Sequence, residues 1–273
     1  MQGTNNDRPL ISIITISYNC ADSIERTIRS VLAQQYHSYE YIIIDGGSTD
    51  GTVDIIRQYQ DNLAWWVSEK DRGISDAFNK GIAAAKGAYI NLLNAGDCYL
   101  STHTLAEVQT RLTAPLVSFR FIEENSGQHS RLPREDEADI EKKALLGHQA
   151  TFVHRDVYHA FGGYQCSYKI RMDFDFFLRV LPHQPLKAVD LVIVGYNAGL
   201  SGSVRHRLRY EVEGLVSVFL NGRRGVSYLF RLLYQPLWRV LLYTLKRNIK
   251  TVLRGGQQRA GIDPGPAFKR ANP

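Results

Sequence analysis

Four aspartates carry most of the chemistry that this sequence offers. Asp45 closes an apolar run and is followed by Gly46 and Gly47, so the chain can turn sharply there and let a ligand approach its backbone. A carboxylate in that place could accept a hydrogen bond from a nucleobase or a ribose hydroxyl, or serve as a turn before a helix opened by Ser48, Thr49 or Asp50. Asp97 ends Asn94-Ala-Gly-Asp97. A hard oxygen ligand there suits Mg2+ or Mn2+, with substrate oxygens and water completing the shell, and the alternative is one more strand-end turn. Asp173 and Asp175 stand two apart in Arg171-Met-Asp-Phe-Asp-Phe-Phe-Leu-Arg179, at the start of an expected helix whose dipole favours acids in any case. On a helix they point about 200° apart, so only one of them can face a given site. His148-Gln149 could meet a phosphate or an acceptor hydroxyl, or be structural. Tyr18 and Trp65-Trp66 could stack on a base, with core packing as the default for the tryptophans. Cys98, beside Asp97, reads as a small packed residue.

These residues need a frame. Leu10–Ser17 is β-branched and nearly all apolar, as a strand covered on both faces would be. Asp22-Ser-Ile-Glu25 has the form of a capping box, with Ile24, Ile28, Val31 and Leu32 at helical spacing behind it. Strands are then expected at Tyr41–Ile44, Leu63–Val67 and Ala88–Leu93, and helices after Thr52 and over Ile74–Ala85. This alternation predicts a parallel sheet with crossover helices, whose ligands sit at the carboxyl ends of the strands. Asn19, Asp45, the stretch Glu69 to Asp71 and the stretch Asn94 to Asp97 all follow an expected strand. Farther on, a strand is expected over Leu116–Ile122, a charged connection over Glu123–Glu141 and a helix over Met172–Leu181.

The chain has 273 residues, 44% apolar and 22% charged, which is enough for a full core and excludes extended disorder or a collagen-like repeat. Net charge is +6, compatible with nucleic acid, anionic lipid or a phosphorylated substrate as partner. The excess is uneven. Arg205 to Arg259 holds twelve Lys and Arg against two acids, leaving a slightly acidic body. Three widely spaced cysteines suggest free thiols in a cytosolic protein, neither a disulfide framework nor a zinc site. The polar start lacks a secretory signal's apolar core. The uncharged run Leu191–Val204 falls short of the ~18 residues that a membrane span requires.

Seven segments in order resemble a family 2 glycosyltransferase of the GT-A type: IITISYN (Ile13–Asn19), SVLAQQY (Ser30–Tyr36), YIIIDGGSTDGT (Tyr41–Thr52), SEKDRGISDAFNKGI (Ser68–Ile82), GAYINLLNAGD (Gly87–Asp97), HQATF (His148–Phe152) and MDFDFFLR (Met172–Arg179). Within that family the likeness is to transferases of bacterial exopolysaccharide assembly, including the colanic-acid type. The resemblance implies an α/β GT-A fold: a Rossmann-like, mostly parallel sheet flanked by helices. Residues 1–115 would bind the nucleotide sugar and 116–204 the acceptor, with a basic amphipathic helical extension over 205–273. It implies that Tyr18 lies against the base, Asp45 bonds the base or ribose, and Asp71 lines the donor pocket. Asp97 would ligate a divalent Mn2+ or Mg2+, and Asp173 would be the general base of an inverting transfer. Asp175 and Arg179 would support the helix, with His148 and Gln149 near the acceptor or donor phosphates. The usual metal motif has further aspartates where this chain has Asn94 and Gly96. The implied partners are a UDP- or GDP-sugar and a saccharide or lipid-linked acceptor in surface polysaccharide synthesis, and no nucleic acid.

In the basic extension, Leu237, Leu241, Leu245, Ile249 and Leu253 recur every four residues, with Arg239, Lys246, Lys250 and Arg254 on another side. Residues 228–254 are thus expected to form an amphipathic helix, lying on an anionic membrane surface or packed on the body. The expected location is cytoplasmic, peripheral on the inner face of the cytoplasmic membrane. Two other functions compete: a sugar nucleotidyltransferase, disfavoured because no Gly-rich, Arg-containing loop follows the first strand, and a catalytically silent sugar- or membrane-binding protein of the same fold.

Overall fold

The computed structural model describes residues 10–132, 140–196 and 204–221. The chain divides into two compact units, Met1–Arg223 and Arg224–Pro273. The second unit, with the expected amphipathic helix over 228–254, lies outside the described residues.

The first half alternates as its apolar runs require. β1 (Ile11–Ser17), β2 (Tyr39–Asp45), β3 (Trp65–Ser68) and β4 (Tyr89–Leu92) are joined by α1 (Ile24–Leu32), α2 (Thr52–Gln58) and α3 (Ile74–Ala84). All pairings among these strands are parallel, and β1 is buried along nearly its whole length because helices cover the sheet. α1 buries Ile24, Ile28 and Val31, the stripe expected from spacing. The expected capping box does not form. Ser23 is the N-cap without a side-chain hydrogen bond, and Glu25 instead accepts from Arg29 and from the Tyr59 hydroxyl. α3 packs closely on β1 because position 81 is glycine, where a Cβ would stand 2.4 Å from Ile14 Cγ2. Forcing one in would cost about 1–3 kcal/mol.

The second half adds β5 (Cys98–Tyr99), α4 (Thr104–Gln109), β6 (Leu116–Glu123), β7 (Gln128–His129), α5 (Ile140–Lys143), β8 (Thr151–His154), α6 (Arg155–Phe161), α7 (Met172–Val180), β9 (Leu186–Tyr196) and α8 (Val204–Leu220). The sheet runs β3-β2-β1-β4-β8-β6-β9-β5, with β7 paired to β6. β8 is antiparallel to both β4 and β6, and β9 is parallel to β6 across two register shifts. The described part of the charged connection forms the β6–β7 hairpin and α5. α8, which begins where the acceptor half was expected to end, packs on α7. Trp66 packs on the core, whereas Trp65 is 42% exposed. Among the described residues, no helix is long and apolar enough to cross a membrane.

Candidate active site

The carboxyl edge of the parallel strands is built on a row. Ser17, Asp45 and Ser68 are register partners across β1, β2 and β3. Both serine hydroxyls donate to Asp45, at 2.9 and 2.7 Å, and Ser48 adds its hydroxyl (2.5 Å) and its backbone N–H (2.9 Å), with Gly47 N–H at 3.1 Å. Burial alone would raise the Asp45 pKa, but the hydrogen bonds from Ser48, Ser68 and Ser17 outweigh it and hold the carboxyl below its usual range. Asp45 is fully buried and does not line the cavity described below. Its oxygens are occupied in fixing the turn that places Gly46.

That turn is laced to the loop after β1. Backbone N–H groups of Asn19, Cys20 and Ala21 donate in succession to Ser48 Oγ, Thr52 Oγ1 and Asp50 Oδ2. Thr49 N–H closes the contact on Asn19 Oδ1. The Ser-Thr-Asp-Gly-Thr segment is thus chiefly a clamp on the first loop. Asn19 adopts a left-handed φ of 47°, which presents Tyr18 outward at 67% exposure. Gly46 lies between Tyr18 and Asp71, where a Cβ would fall 2.6 Å from Asp71 Oδ2 and 3.3 Å from Tyr18 Cδ2. Asp71 is held by Gly73 N–H on its Oδ1 at 2.8 Å.

The turn after β4 is gripped from below by Thr27 of α1. The buried Thr27 hydroxyl donates to the Asp97 carbonyl (2.7 Å) and accepts Gly96 N–H (2.8 Å). Asp97 is therefore set in place although only 3% of it is exposed.

The opposite wall comes from the second half. His148 presents its ring between the two walls: Asn94 Nδ2 lies 3.1 Å from Nε2, and Asp173 Oδ2 lies 3.4 Å from Nδ1. An Nε2 that accepts from the Asn94 amide places the ring proton on Nδ1, toward Asp173. Asp173 Oδ1 accepts Phe174 N–H at 2.7 Å. Asp175 faces the other way, as helical geometry demands. It is buried and accepts from Arg179 Nε at 3.0 Å and from Ser217 Oγ of α8 at 2.9 Å.

Together these walls enclose a cavity of about 1030 Å³. Tyr18, Asp71, Asp97, His148 and Asp173 all line it. Gln149, like Asp45, lies behind the wall. It is buried, with its carbonyl accepting from Asn91. Sequence reasoning missed Tyr196, Lys169, Arg171 and Tyr210, which also line the cavity. Tyr196 ends β9, and its phenol is pushed up first by burial and then by the charges of Asp97, Glu123 and Asp173. It remains a hydrogen-bond donor on the cavity wall.

For a divalent cation the donor set is sparse. Among the described residues, no group of three or more His, Cys, Asp and Glu could hold a metal ion alone. The residues nonetheless fit a hard cation completed by substrate oxygens. Asn94 Oδ1 is buried with no hydrogen-bond partner, and Asn94 and Asp97 both belong to the cavity lining.

Comparison with known proteins gives the family and the fold. The family model described as glycosyl transferase family 2 matches residues 12–168. An uncharacterized glycosyltransferase of Mycobacterium tuberculosis is 33% identical over 179 residues, covering 63% of this chain and 68% of the relative. A PGL/p-HBAD biosynthesis glycosyltransferase of Mycobacterium bovis is 28% identical over 206 residues, 72% of this chain and 80% of the relative. Among solved structures, the mannosyltransferase PcManGT from Pyrobaculum calidifontis, in complex with GDP-Man and Mn2+, superposes with a TM-score of 0.61 at 21% identity. That match covers 78% of this chain and 65% of the other, so this chain spans just under two thirds of its length. The likeness shows the fold, which is the GT-A arrangement of a mixed sheet with flanking helices. With its family model matched over more than half its length, the chain belongs to glycosyl transferase family 2.

Proposed function

We propose that this protein is an inverting, metal-dependent glycosyltransferase that moves a sugar from a UDP- or GDP-sugar to a hydroxyl of a saccharide or lipid-linked saccharide, in the assembly of a surface polysaccharide or glycolipid. The observation that carries the reading is the meeting of Asp71 and Asp97, from strand-end loops, with Asp173, from the start of α7, on one cavity. Further support comes from relatives: one is named for PGL/p-HBAD biosynthesis, and a solved neighbour holds GDP-Man and Mn2+.

In this reading Tyr18 stacks on the base and Asp71 meets the donor, while Asp45 fixes the turn that lets the donor reach Gly46. A cation held by Asp97 and Asn94 Oδ1 would supply charge stabilisation for the departing diphosphate. Asp173 accepts the proton of the attacking hydroxyl, and His148 orients that carboxylate through its Nδ1 proton. Attack from the face opposite the leaving diphosphate inverts the anomeric carbon. The Tyr196 phenol, a hydrogen-bond donor at any working pH, donates to a sugar hydroxyl in the cavity. Peripheral association with an anionic membrane surface through 228–254 belongs to the same proposal and rests on the leucine and lysine periodicity of that stretch.

The test is incubation with a panel of UDP- and GDP-sugars, saccharide acceptors and Mn2+. Acceptor-dependent release of a nucleoside diphosphate is expected. Product formed only from a nucleoside triphosphate and a sugar phosphate would mark a nucleotidyltransferase instead, and no turnover with any donor would mark a binding protein.

A further inference from the structure

Arg171 is a buried cavity-lining cation whose charge the transfer chemistry above leaves unused. Only 4% of it is exposed, and its guanidinium carbon lies 3.8 Å from the Phe174 ring centroid and 4.1 Å from that of Tyr210. The group is thus sandwiched between two aromatic faces. Its Nε has no hydrogen-bond partner, and among the described residues no carboxylate pairs with it. Glu213 of α8 is close enough in the fold to have done so, but its oxygens accept the successive backbone N–H groups of Lys169, Ile170 and Arg171 at 3.0, 2.9 and 3.0 Å. Glu213 also pairs with Arg209 at 3.5 Å.

An arginine stays charged at any working pH, and a buried charge without a counter-ion is costly. The ring faces offset part of that cost. They also fix the plane of the fork, so a ligand must approach edge-on with two oxygens in that plane, as a carboxylate or a phosphate does. Lys169 lines the same cavity, and its ammonium spends one hydrogen on the Arg72 carbonyl at 2.6 Å, leaving two for a ligand. Arg171 stands two residues before Asp173, on the wall that comes from the second half, whereas the donor-facing groups come from the ends of β1 to β4. Lys169 reaches over to the loop that carries Asp71, so it is the place of Arg171, two residues before Asp173, that assigns the anion to the molecule whose hydroxyl Asp173 deprotonates.

We propose that Arg171, assisted by Lys169, binds an oxyanion on the acceptor, so that this transferase acts on acidic saccharides, phosphorylated or uronate-bearing. The proposal rests on the reading of Asp173 as base for its choice of acceptor over donor.

Equilibrium binding by saturation-transfer NMR separates the possibilities without needing turnover. The probes are glucose 1-phosphate, glucuronate and methyl glucoside, with UDP and GDP titrated in parallel. The full chain is expected to bind at least one acidic probe ten or more times tighter than methyl glucoside, and the tighter of the two acids identifies phosphate or carboxylate. Arg171→Gln should erase that preference, with UDP and GDP affinity within about twofold of the parent. Lys169→Gln, at an exposed position that leaves folding intact, should reduce the preference about threefold. Equal binding of all three sugars by the parent chain, or a preference kept in Arg171→Gln, would overturn the proposal. So would a tenfold loss of UDP and GDP affinity in Arg171→Gln, which would assign the guanidinium to the donor diphosphate. A chain that prefers acidic sugars yet transfers to none of them would sink only the transferase reading.

Discussion

His148 Nδ1 lies 3.4 Å from Asp173 Oδ2, so the residue read as general base is oriented by an imidazole whose far nitrogen meets Asn94, three residues before Asp97. The side chain that would take a proton and the loop that would meet the leaving group are thus joined through one ring. Replacing Asp173 by Asn keeps the shape and removes the basic oxygen. The kcat should fall by about 10² to 10⁴-fold, while the donor dissociation constant measured by calorimetry stays within a few-fold.

His148→Ala removes the orienting ring and leaves the carboxylate intact. A smaller loss is expected, about tenfold to 100-fold in kcat with little change in donor KM. A fall in donor affinity with unchanged kcat would show that the ring serves the donor instead.

Gly46 has ordinary backbone angles, so an alanine there is strained only by its neighbours, Asp71 Oδ2 at 2.6 Å and Tyr18 Cδ2 at 3.3 Å. Asp71 must swing away from its bond to Gly73 N–H to make room. Gly46→Ala should raise donor KM about tenfold or more by displacing groups at the cavity wall, and circular dichroism should show the fold unchanged.

Chelation of divalent cations should abolish turnover, and Mn2+ or Mg2+ should restore it. Because Asn94 Oδ1 is a buried acceptor without a partner, Asn94→Ala should raise the half-saturating metal concentration several-fold at constant donor. Turnover that persists in EDTA would remove the cation from the mechanism.

Acid sensitivity should be concentrated in the clamp between the first two loops. The Asp50 carboxyl is lowered to about 2, chiefly by the backbone N–H of Ala21 and then by the Thr52 hydroxyl. A depressed carboxyl contributes its stability above its unfolded pKa, near 3.8, and loses it as pH falls through the folded value. Asp45 is depressed in the same sense. The melting temperature should therefore drop between about pH 4 and 2, and Asp50→Asn, already lacking the carboxylate, should lose less over that interval.

The parallel half was legible because β1 and β2 are short runs rich in isoleucine, each followed by a helix, patterns that are local in sequence. β9 was not expected at all. Its pairing with β6 joins Leu186 to Leu116, and nothing near either residue announces the other. The site shows the same division. Asp71, Asp97 and Asp173 could be picked out because acids after strands and at helix starts are visible in the chain. That Asp45 spends itself on Ser17, Ser48 and Ser68 depends on three strands lying side by side. The motif around Arg171 announces no role for it, since its sandwich is completed by Tyr210, thirty-nine residues later.

Glu213 hangs from three consecutive amides just upstream of α7, and α7 carries the residue read as base in its first turn. The stretch that matches the family ends at residue 168, before both. A shortened chain lacking α8 could therefore still assemble the sheet and hold nucleotide while its proton acceptor drifted out of line: a competent binder with no catalytic stroke.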